Sequence, residues 1–260
     1  MPHNRMSELA CIVLAAGKGK RMNNPDMPKV MATLAGKPLL GHVLTQVTLL
    51  HPAKTIVIVG HQKDTVINYV KQEFPWADCI EQPEQLGTGH AVKMAESALE
   101  NFYGDVLIIT GDTPLLQAQT LDSFVEEHQR YRGMLSGCVL SAVTPNPTGY
   151  GRIVRSPVGE FMKIVEEKDA TDEEKLIAEI NTGIFVVKAV TLFAVLKEIS
   201  NSNAQGEYYL TDIVELIRRK GMSISAIKAL KFDEFQGINT PEELTRAENH
   251  YYMRRLNTLM

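Results

Sequence analysis

Short apolar runs rich in β-branched residues alternate with helical patterns along the first half of the chain. The runs include ACIVLAAG, TIVIVG and DVLIITGD, and the segments between them include LLGHVLTQVTLL, DTVINYVKQEF and AVKMAESALENF. Strands that are apolar on both faces are typical of parallel sheets covered by helices, whose consecutive strands are joined as right-handed βαβ units. The alternation predicts an α/β fold: a doubly wound, mixed and mainly parallel sheet flanked by helices.

The pattern changes after Gly133. The segments SGCVLSAVT, GRIVRS, FMKIVEE and NTGIFVVK are strand-like with close turns, and helical segments resume at AVTLFAVLKEI and YYLTDIVELIRRKG. We expect these strands to continue the first sheet, with a meander that forms the other wall of a cleft. Because no linker rich in Gly, Ser or Pro interrupts the chain, we expect residues 1–260 to form a single domain.

The last helical segment has a defined beginning. Thr240 is suited to the N-cap, Pro241 to the first helical position and Glu243 to the reciprocal position of a capping box. These residues predict a C-terminal helix over residues 240 to 258, approximately.

Composition and charge limit the possible partners. The net charge is −4, so we expect no binding to nucleic acid or to an anionic membrane, and any phosphate must be held by a local cluster of cations. No apolar run approaches the roughly 18 residues that span a bilayer, and MPHNRMSELA lacks the apolar stretch of a signal peptide. The three cysteines, an odd number without CxxC spacing, are typical of reduced thiols. These features predict a cytoplasmic protein.

A glycine-rich, cationic loop follows the first apolar run. In LAAGKGKRM, Gly17 and Gly19 allow close approach of the backbone to a ligand, and Lys18, Lys20 and Arg21 supply positive charge. The dinucleotide fingerprint is excluded because Met22 stands where a third small residue is needed, and GxxxxGK[ST] is absent. The loop predicts a phosphate site, and a merely tight turn is the alternative. Lys29, in MPKVM, could add charge there, although most single lysines are surface residues.

Asp112 directly follows the apolar run VLIIT and Gly111. In open α/β sheets ligands bind beyond the carboxyl ends of the strands, where a carboxylate could bind a metal. Asp also commonly caps a turn, here before TPLL. The segment alone leaves both interpretations open.

The segment EQPEQLGTGHAV lies between a short strand and a helix. A glutamine amide at Gln82 or Gln85 can pair with a uracil edge but can also flip, whereas a backbone N–H beside Gly87 cannot. We therefore consider base recognition here. The alternative is a helix that begins at flexible glycines, with Thr88 and His90 in its first turn.

Polar residues also stand at the ends of the strands in the second half. They occur in GYGRIV, IVEEKDA, EINTGIF and NAQGEYYLTD, and include Gly151, Glu166, Asn181, Glu207 and Thr211. Such groups could form hydrogen bonds with sugar hydroxyls. Exposed turns are normally polar, so each residue alone is a weak signal.

Nine blocks taken in order resemble one family, the uridylyltransferase domain of bacterial N-acetylglucosamine-1-phosphate uridylyltransferase. They are LAAGKGKRM, PKVM, EQLGTGHAV, GDTPLL, GYGRIV, VEEKDA, EINTGI, NAQGEYYLTDIV and GINTPEEL, and they extend from Leu14 to about Leu244. The resemblance implies a Rossmann-like nucleotidyltransferase fold, with a nucleotide-binding half over about residues 7–132 and a sugar-binding half over about residues 133–238.

The resemblance also assigns roles to the matching residues. It implies that the nucleotide is held by Leu14, Ala15, Ala16, Gly17, Gln82, Gln85, Gly87 and Thr88. It implies that the amino sugar is held by Gly151, Glu166, Asn181, Glu207, Tyr209 and Thr211. Arg21 and Lys29 would act on the phosphates as catalytic residues, and Asp112 and Asn239 would bind Mg²⁺.

The implied reaction is magnesium-dependent transfer of UMP from UTP to N-acetylglucosamine 1-phosphate, which yields UDP-N-acetylglucosamine, a cell-envelope precursor, and pyrophosphate. The alternatives are a uridylyltransferase for another hexose 1-phosphate and a catalytically silent regulator that binds nucleotide sugars. Retention of Lys29, Asp112 and Asn239 argues against the regulator. Bifunctional members of the family continue into a β-helix of hexapeptide repeats. This sequence contains none, so we expect no acetyltransferase activity and leave the oligomeric state open.

Overall fold

The computed structural model describes residues 9–22 and 27–259. The described residues form eleven strands: β1 (Leu9–Ala15), β2 (Thr33–Leu34), β3 (Lys37–Pro38), β4 (Lys54–Val59), β5 (Asp78–Glu81), β6 (Asp105–Thr110), β7 (Leu135–Val143), β8 (Arg152–Arg155), β9 (Phe161–Val165), β10 (Glu179–Lys188) and β11 (Ser223–Lys228). Its helices are α1 (Leu39–Thr48), α2 (Lys63–Glu73), α3 (Thr88–Lys93), α4 (Ala118–Arg130), α5 (Asp172–Lys175), α6 (Ala189–Leu196), α7 (Ile213–Arg219) and α8 (Pro241–Leu259). Residues 1–8, within the segment examined above for a signal peptide, lie outside this description.

One large sheet carries both halves of the chain. Its main strands follow the order β11-β7-β10-β6-β1-β4-β5. Strand β1 pairs in parallel with β4 and β6, β5 pairs in parallel with β4, and β11 pairs in parallel with β7. Strand β10 is antiparallel to both β6 and β7, and β8 and β9 form an antiparallel meander beside it. The prediction of a doubly wound, mixed and mainly parallel sheet is confirmed.

Both faces of the sheet are buried beneath helices. Alternate residues of β1 enter opposite cores, because successive side chains of a strand point to opposite faces. Val13 packs in a cluster that includes residues of α1, α2 and α4, whereas Ile12 packs in a cluster that includes residues of α3, α6 and α7. This two-sided burial explains why the strands of the first half are almost continuously apolar.

The helical pattern at AVKMAESALENF takes a tighter form than a regular α-helix. After α3 the backbone changes to bonds between residues three apart, such as Ala95 N to Val92 O at 3.0 Å, and a 3₁₀ helix covers Ser97–Leu99. This winding keeps Ala95 and Leu99 in the second core.

The C-terminal helix begins where the capping pattern predicts. Glu243 N donates to Thr240 Oγ1 and Thr240 N donates to Glu243 Oε2, both at 3.2 Å. Behind its first turns, Ala247 packs with Leu34, Leu115 and Ile238 in a third apolar cluster. The helix is thereby fixed against the loop that follows β6.

All three cysteines are free thiols. Burial raises the pKa of Cys138 to about 12 and that of Cys79 to about 11, and it raises the pKa of Cys11 further. Neutral thiols are poor nucleophiles, so these side chains act as small apolar groups. Within residues 9–22 and 27–259, none of the helices has the length and apolar character that crossing a bilayer requires.

Candidate active site

A cleft of about 590 Å³ opens at the carboxyl ends of β1, β5 and β6. Ligands of open α/β sheets bind at this edge. All eight residues predicted for the nucleotide line it: Leu14, Ala15, Ala16, Gly17, Gln82, Gln85, Gly87 and Thr88. Lys29, Asp112 and Glu207 line it as well. The cleft thus collects residues from six of the nine sequence blocks and from both halves of the chain.

The glycine-rich loop joins β1 to a short 3₁₀ helix, Lys20–Met22. Gly19 has a φ of +58°, and a Cβ on it would lie 2.5 Å from the Cβ of Lys29. Glycine is therefore needed at this position so that the loop can pass against Lys29. Gly17, by contrast, faces open space. Arg21 is exposed and does not line the cleft, and the side chain of Lys20 lies outside the described part.

Lys29, Asp112 and Asn239 meet at one end of the cleft. The Lys29 ammonium donates to Asp112 Oδ2, and it donates to Asn239 Oδ1 at 2.9 Å. The Lys29 and Asp112 side chains are only 14% and 16% exposed, so water weakens their attraction little. Ile238 N donates to Asp112 O at 2.9 Å, and this backbone bond brings the segment before α8 to the end of β6.

The same oxygens fit a divalent cation. A carboxylate and an amide oxygen converge on the Lys29 ammonium, which shows that the position accommodates positive charge. Mg²⁺ prefers hard oxygen ligands and commonly takes only one or two from the protein. No group of three or more His, Cys, Asp or Glu residues suited to a metal occurs in the described part of the chain. An ion at Asp112 and Asn239 would therefore complete its coordination with water and substrate phosphates.

One wall of the cleft, called the Gln82 wall below, is formed by Gln82, Gln85 and Gly87 and is held by hydrogen bonds within the protein. The Gln82 side chain is 3% exposed, and its Nε2 lies 3.1 Å from Gly87 O and 3.0 Å from His90 Nδ1. The amide nitrogen of Gln85 donates to Gln82 O at 3.1 Å. These contacts fix the orientation of the Gln82 amide, which the sequence alone left free to flip.

The loop before α3 is joined to a segment from the second half of the chain. Tyr208 N donates to Leu86 O and Gly89 N donates to Tyr208 O, both at 2.8 Å. Leu210 N donates to Thr88 Oγ1 at 3.0 Å. Gly87 sits at this junction with a φ of +112°. The cleft wall is therefore built from two segments that are distant in sequence.

Four of the residues predicted for the sugar lie together beside the meander. Asn181 N donates to Gly151 O at 2.8 Å, and Thr211 Oγ1 donates to Glu166 Oε1 at 2.9 Å. A Cβ on Gly151 would lie 3.5 Å from Glu166 Oε2. Burial raises the pKa of Glu166. These four residues are not among those that line the cleft.

Glu207 and Tyr209, the other two residues predicted for the sugar, differ in position. Glu207 lines the cleft, whereas Tyr209 is buried. The Tyr209 hydroxyl accepts a hydrogen bond from Gln205 Nε2 at 2.8 Å, and burial raises the pKa of Tyr209 to about 12. The geometry gives this side chain a supporting position rather than a surface for ligand contact.

Sequence reasoning missed two lining residues of the second half, Lys168 and Gln205. Lys168 Nζ donates to Gln205 Oε1 at 2.6 Å, which links the loop after β9 to the segment before Glu207. Both lie inside the quoted blocks VEEKDA and NAQGEYYLTDIV, but a single Lys or Gln in a polar turn gives no signal of its own. Lys18, noted earlier only as a cation, also lines the cleft.

Arg152 fixes the loops that carry Gly151 and Glu166. Its side chain is almost wholly buried, donates to Tyr150 O, and donates to Glu167 Oε2 at 2.7 Å. Glu167 Oε2 also accepts from Gly149 N at 3.1 Å. Because a buried arginine with several hydrogen bonds has little freedom, the two loops hold one relative position.

Comparison with known proteins places the chain among nucleotide-using enzymes. Residues 11–179 match the MobA-like NTP transferase domain. The bifunctional protein GlmU of Lactococcus lactis subsp. lactis (strain IL1403) is 46% identical over 249 residues, which cover 93% of this chain and 53% of that protein. The bifunctional protein GlmU of Streptococcus gordonii is 44% identical over 246 residues, which cover 95% of this chain and 52% of that protein. The chain spans about half the length of the curated relatives it matches.

Solved structures with a similar fold include other nucleotidyltransferases. UDP-glucose pyrophosphorylase in complex with UDP-glucose has a TM-score of 0.77, covers 95% of this chain and 99% of its own, and is 17% identical. A putative glucose-1-phosphate thymidylyltransferase from Bacillus anthracis has a TM-score of 0.71 and is 19% identical. The aligned region covers 93% of this chain and 94% of that protein's chain. At such identities the likeness establishes the fold alone, which is the Rossmann-like nucleotidyltransferase fold.

The family match accords with the chemistry of the cleft. Nucleotidyltransferases of this family generally use a divalent metal. The cleft offers a glycine-rich loop, a cationic side chain and a carboxylate, which fit a nucleotide and its metal. The chain belongs to the family of MobA-like NTP transferase domains and is a nucleotidyltransferase.

Proposed function

We propose that the protein transfers UMP from UTP to N-acetylglucosamine 1-phosphate, which yields UDP-N-acetylglucosamine and pyrophosphate in a Mg²⁺-dependent reaction. The observation that carries this proposal is the convergence of Lys29, Asp112 and Asn239 beside the glycine-rich loop and the Gln82 wall. The identity of 44–46% with bifunctional GlmU proteins supports the choice of substrates.

The uridine end of UTP is assigned to the wall at Gln82 and Gly87. The held amide of Gln82 and the fixed backbone of Gly87 can distinguish the donor and acceptor pattern of a uracil edge. The triphosphate would then extend past Gly17 and Lys18 toward Lys29. This direction places the α-phosphorus close to the predicted metal ligands.

The reaction needs no general base from the protein. An oxygen of the sugar phosphate is already anionic, attacks the α-phosphorus of UTP in line, and forms the new P–O bond as the bond to pyrophosphate breaks. The difficulty is the repulsion between two polyanions. Lys29 opposes this repulsion, and we assign the same task to Arg21, since its exposed side chain stands at the end of the glycine-rich loop.

Asp112 and Asn239 are assigned to Mg²⁺, which when bound supplies positive charge to the phosphates of both substrates. The sugar is assigned to Gly151, Glu166, Asn181 and Thr211, with Glu207 at the cleft and Tyr209 behind it. The three free thiols support a location in the reducing cytoplasm.

The test is a substrate panel. The purified protein is offered each of four nucleoside triphosphates with N-acetylglucosamine 1-phosphate and with several other hexose 1-phosphates, with and without Mg²⁺. We expect the highest kcat/KM for UTP with N-acetylglucosamine 1-phosphate, and loss of pyrophosphate release when a chelator is added. Mass spectrometry identifies the nucleotide sugar.

Two lysine variants test whether the activity measured in the substrate panel depends on the cleft. Lys29→Ala should abolish most of the turnover, whereas Lys63→Ala, which removes a surface lysine paired with Glu81, should leave it near the wild-type rate. Preference for another hexose 1-phosphate would contradict the sugar assignment. Absence of pyrophosphate with every pair would favour the silent regulator.

A further inference from the structure

A second cavity, of about 320 Å³, lies apart from the cleft. It is formed by α1, the loop after β6 and the second half of α8, and it shares none of the residues that line the cleft. The side chains that matter for its chemistry are Lys37, Gln46, Gln117, Tyr251, Arg254 and Arg255.

The cavity is strongly cationic. Lys37, Arg254 and Arg255 line it, and none of the described residues that line it carries a carboxylate. Within the described residues, Lys37 and Arg255 have no carboxylate partner: the Lys37 ammonium donates to Thr45 Oγ1 and lies over Phe74, and the Arg255 guanidinium lies 5.9 Å from the Tyr251 ring centroid. In a chain with a net charge of −4, such a local concentration of positive charge attracts anions.

Two groups that line the cavity are held in place by hydrogen bonds to the backbone. Arg254 Nη1 donates to Leu115 O at 2.8 Å, which fixes the guanidinium against the loop after β6. Gln46 Oε1 accepts from Ala118 N at 3.0 Å, so the amide beside the cavity is held as well. Groups that are held before binding lose less entropy when a ligand arrives.

We propose that this cavity binds a small phosphorylated metabolite, a phosphate monoester of about the size of a sugar phosphate. Arginine pairs bidentately with phosphate oxygens and lysine adds a point charge. The volume is at the lower end of the range for ligand pockets and smaller than the cleft, so it suits a sugar phosphate better than a nucleoside triphosphate. The proposal does not depend on the reaction assigned to the cleft.

The position of the cavity relates it to the cleft. Its loop begins two residues after Asp112, and α8, which contributes Arg254 and Arg255, begins two residues after Asn239. A phosphate monoester bound there would therefore touch the loop that follows Asp112 and the helix that follows Asn239.

The experiment measures phosphate binding in a protein whose cleft has been weakened. Lys29→Ala removes the cation of the cleft that contacts Asp112 and Asn239, and calorimetry then follows the binding of inorganic phosphate and of glucose 6-phosphate. We expect Lys29→Ala to retain binding of both probes, and we expect Lys29→Ala combined with Arg255→Ala to bind them about tenfold more weakly or worse. Arg255 is exposed, so its loss should leave the fold intact.

A matched control separates local from general charge effects. Lys29→Ala combined with Arg219→Ala removes an exposed arginine of α7 that pairs with Glu215, and it should bind the probes as Lys29→Ala does. Equal affinity in the two double variants would overturn the proposal. Absence of binding by Lys29→Ala itself would also overturn it. Weaker binding in the double variant with Arg255→Ala, together with unchanged binding in the double variant with Arg219→Ala, would support it.

Discussion

At the residue scale, Asp112 shows how a site is decided by its neighbours. From its segment it could equally cap a turn or bind a metal. The structure places it against the Lys29 ammonium, with the Asn239 amide on the same ammonium. A carboxylate that served only as a turn cap would need neither of these partners, so the contacts favour a role in the reaction.

We predict that Asp112→Ala lowers kcat by at least about a hundredfold, on the order of 3 kcal/mol, and that Asn239→Ala also lowers it. The physical reason is loss of oxygens that hold charge near the α-phosphorus. Steady-state kinetics with saturating substrates measures the effect.

Calorimetry supplies the second part of this test. Binding of UTP without metal should change much less than kcat, because the uridine end is assigned to the Gln82 wall. Asp122→Ala, on an exposed position of α4, is the matched control and should keep the wild-type rate. If Asp112→Ala turned over near the wild-type rate, capping the turn would be the only remaining role for Asp112.

At the scale of elements, the junction between the loop before α3 and the segment at Tyr208 joins the two halves of the chain. It depends on Gly87, whose φ of +112° and ψ of +173° are almost exclusive to glycine. A Cβ on Gly87 would lie 2.6 Å from Tyr208 O and 2.8 Å from Tyr208 N. The obstruction is backbone and cannot move aside by a change of rotamer.

Gly87→Ala is therefore expected to lower the free energy of unfolding by about 2 kcal/mol or more and to raise the KM for UTP. Gly159→Ala is a matched control, since Gly159 also has a positive φ, +87°, but a Cβ there would meet open space. Urea denaturation and initial rates compare the two variants. A KM for UTP unchanged by Gly87→Ala would contradict the assignment of this wall to the nucleotide.

At the scale of the whole molecule, global stability should respond to the half-buried carboxyl of Asp212, next to the residues assigned to the sugar. Burial, with the negative charges of Glu215, Glu166 and Asp169, raises the pKa of Asp212 from 3.8 to about 6. A raised pKa means that the folded state binds the proton more tightly than the unfolded chain does. Asp212 thus lowers stability progressively as the pH rises from about 4 to above 6, and it has no such effect below about pH 4.

Asp212→Asn should accordingly raise the free energy of unfolding at pH 7.5 by about 1 to 2 kcal/mol after allowance for solvent screening, and should not raise it at pH 4. Chemical denaturation at the two pH values measures the difference. Asp122→Asn, at an exposed position, is the control and should give the same small change in the free energy of unfolding at both pH values. A gain from Asp212→Asn that is equal at pH 4 and pH 7.5 would show that charge is not its cause.

The sequence determined what depends on near neighbours along the chain. The apolar runs predicted the strands because burial on both faces leaves few polar positions, and Thr240 and Glu243 predicted the start of α8 because a capping box joins residues three apart. The ordered blocks supplied the family, and with it the residues expected around the nucleotide. The 3₁₀ segment after α3 was not predicted, because a helical sequence pattern does not distinguish α-helical from 3₁₀ hydrogen bonds over so few residues.

Only the tertiary structure decided which distant groups meet. Lys29 reaches Asp112 across 83 positions and Asn239 across 210. Those contacts exist because β1 and β6 pair in parallel, so that the segments after them meet, and because Ile238 N donates to Asp112 O. The link from Lys168 to Gln205 and the cationic cavity at Lys37 and Arg255 arise in the same way. Local patterns record hydrogen bonds within a few residues, whereas these sites depend on the order of strands in the sheet, which no single segment encodes.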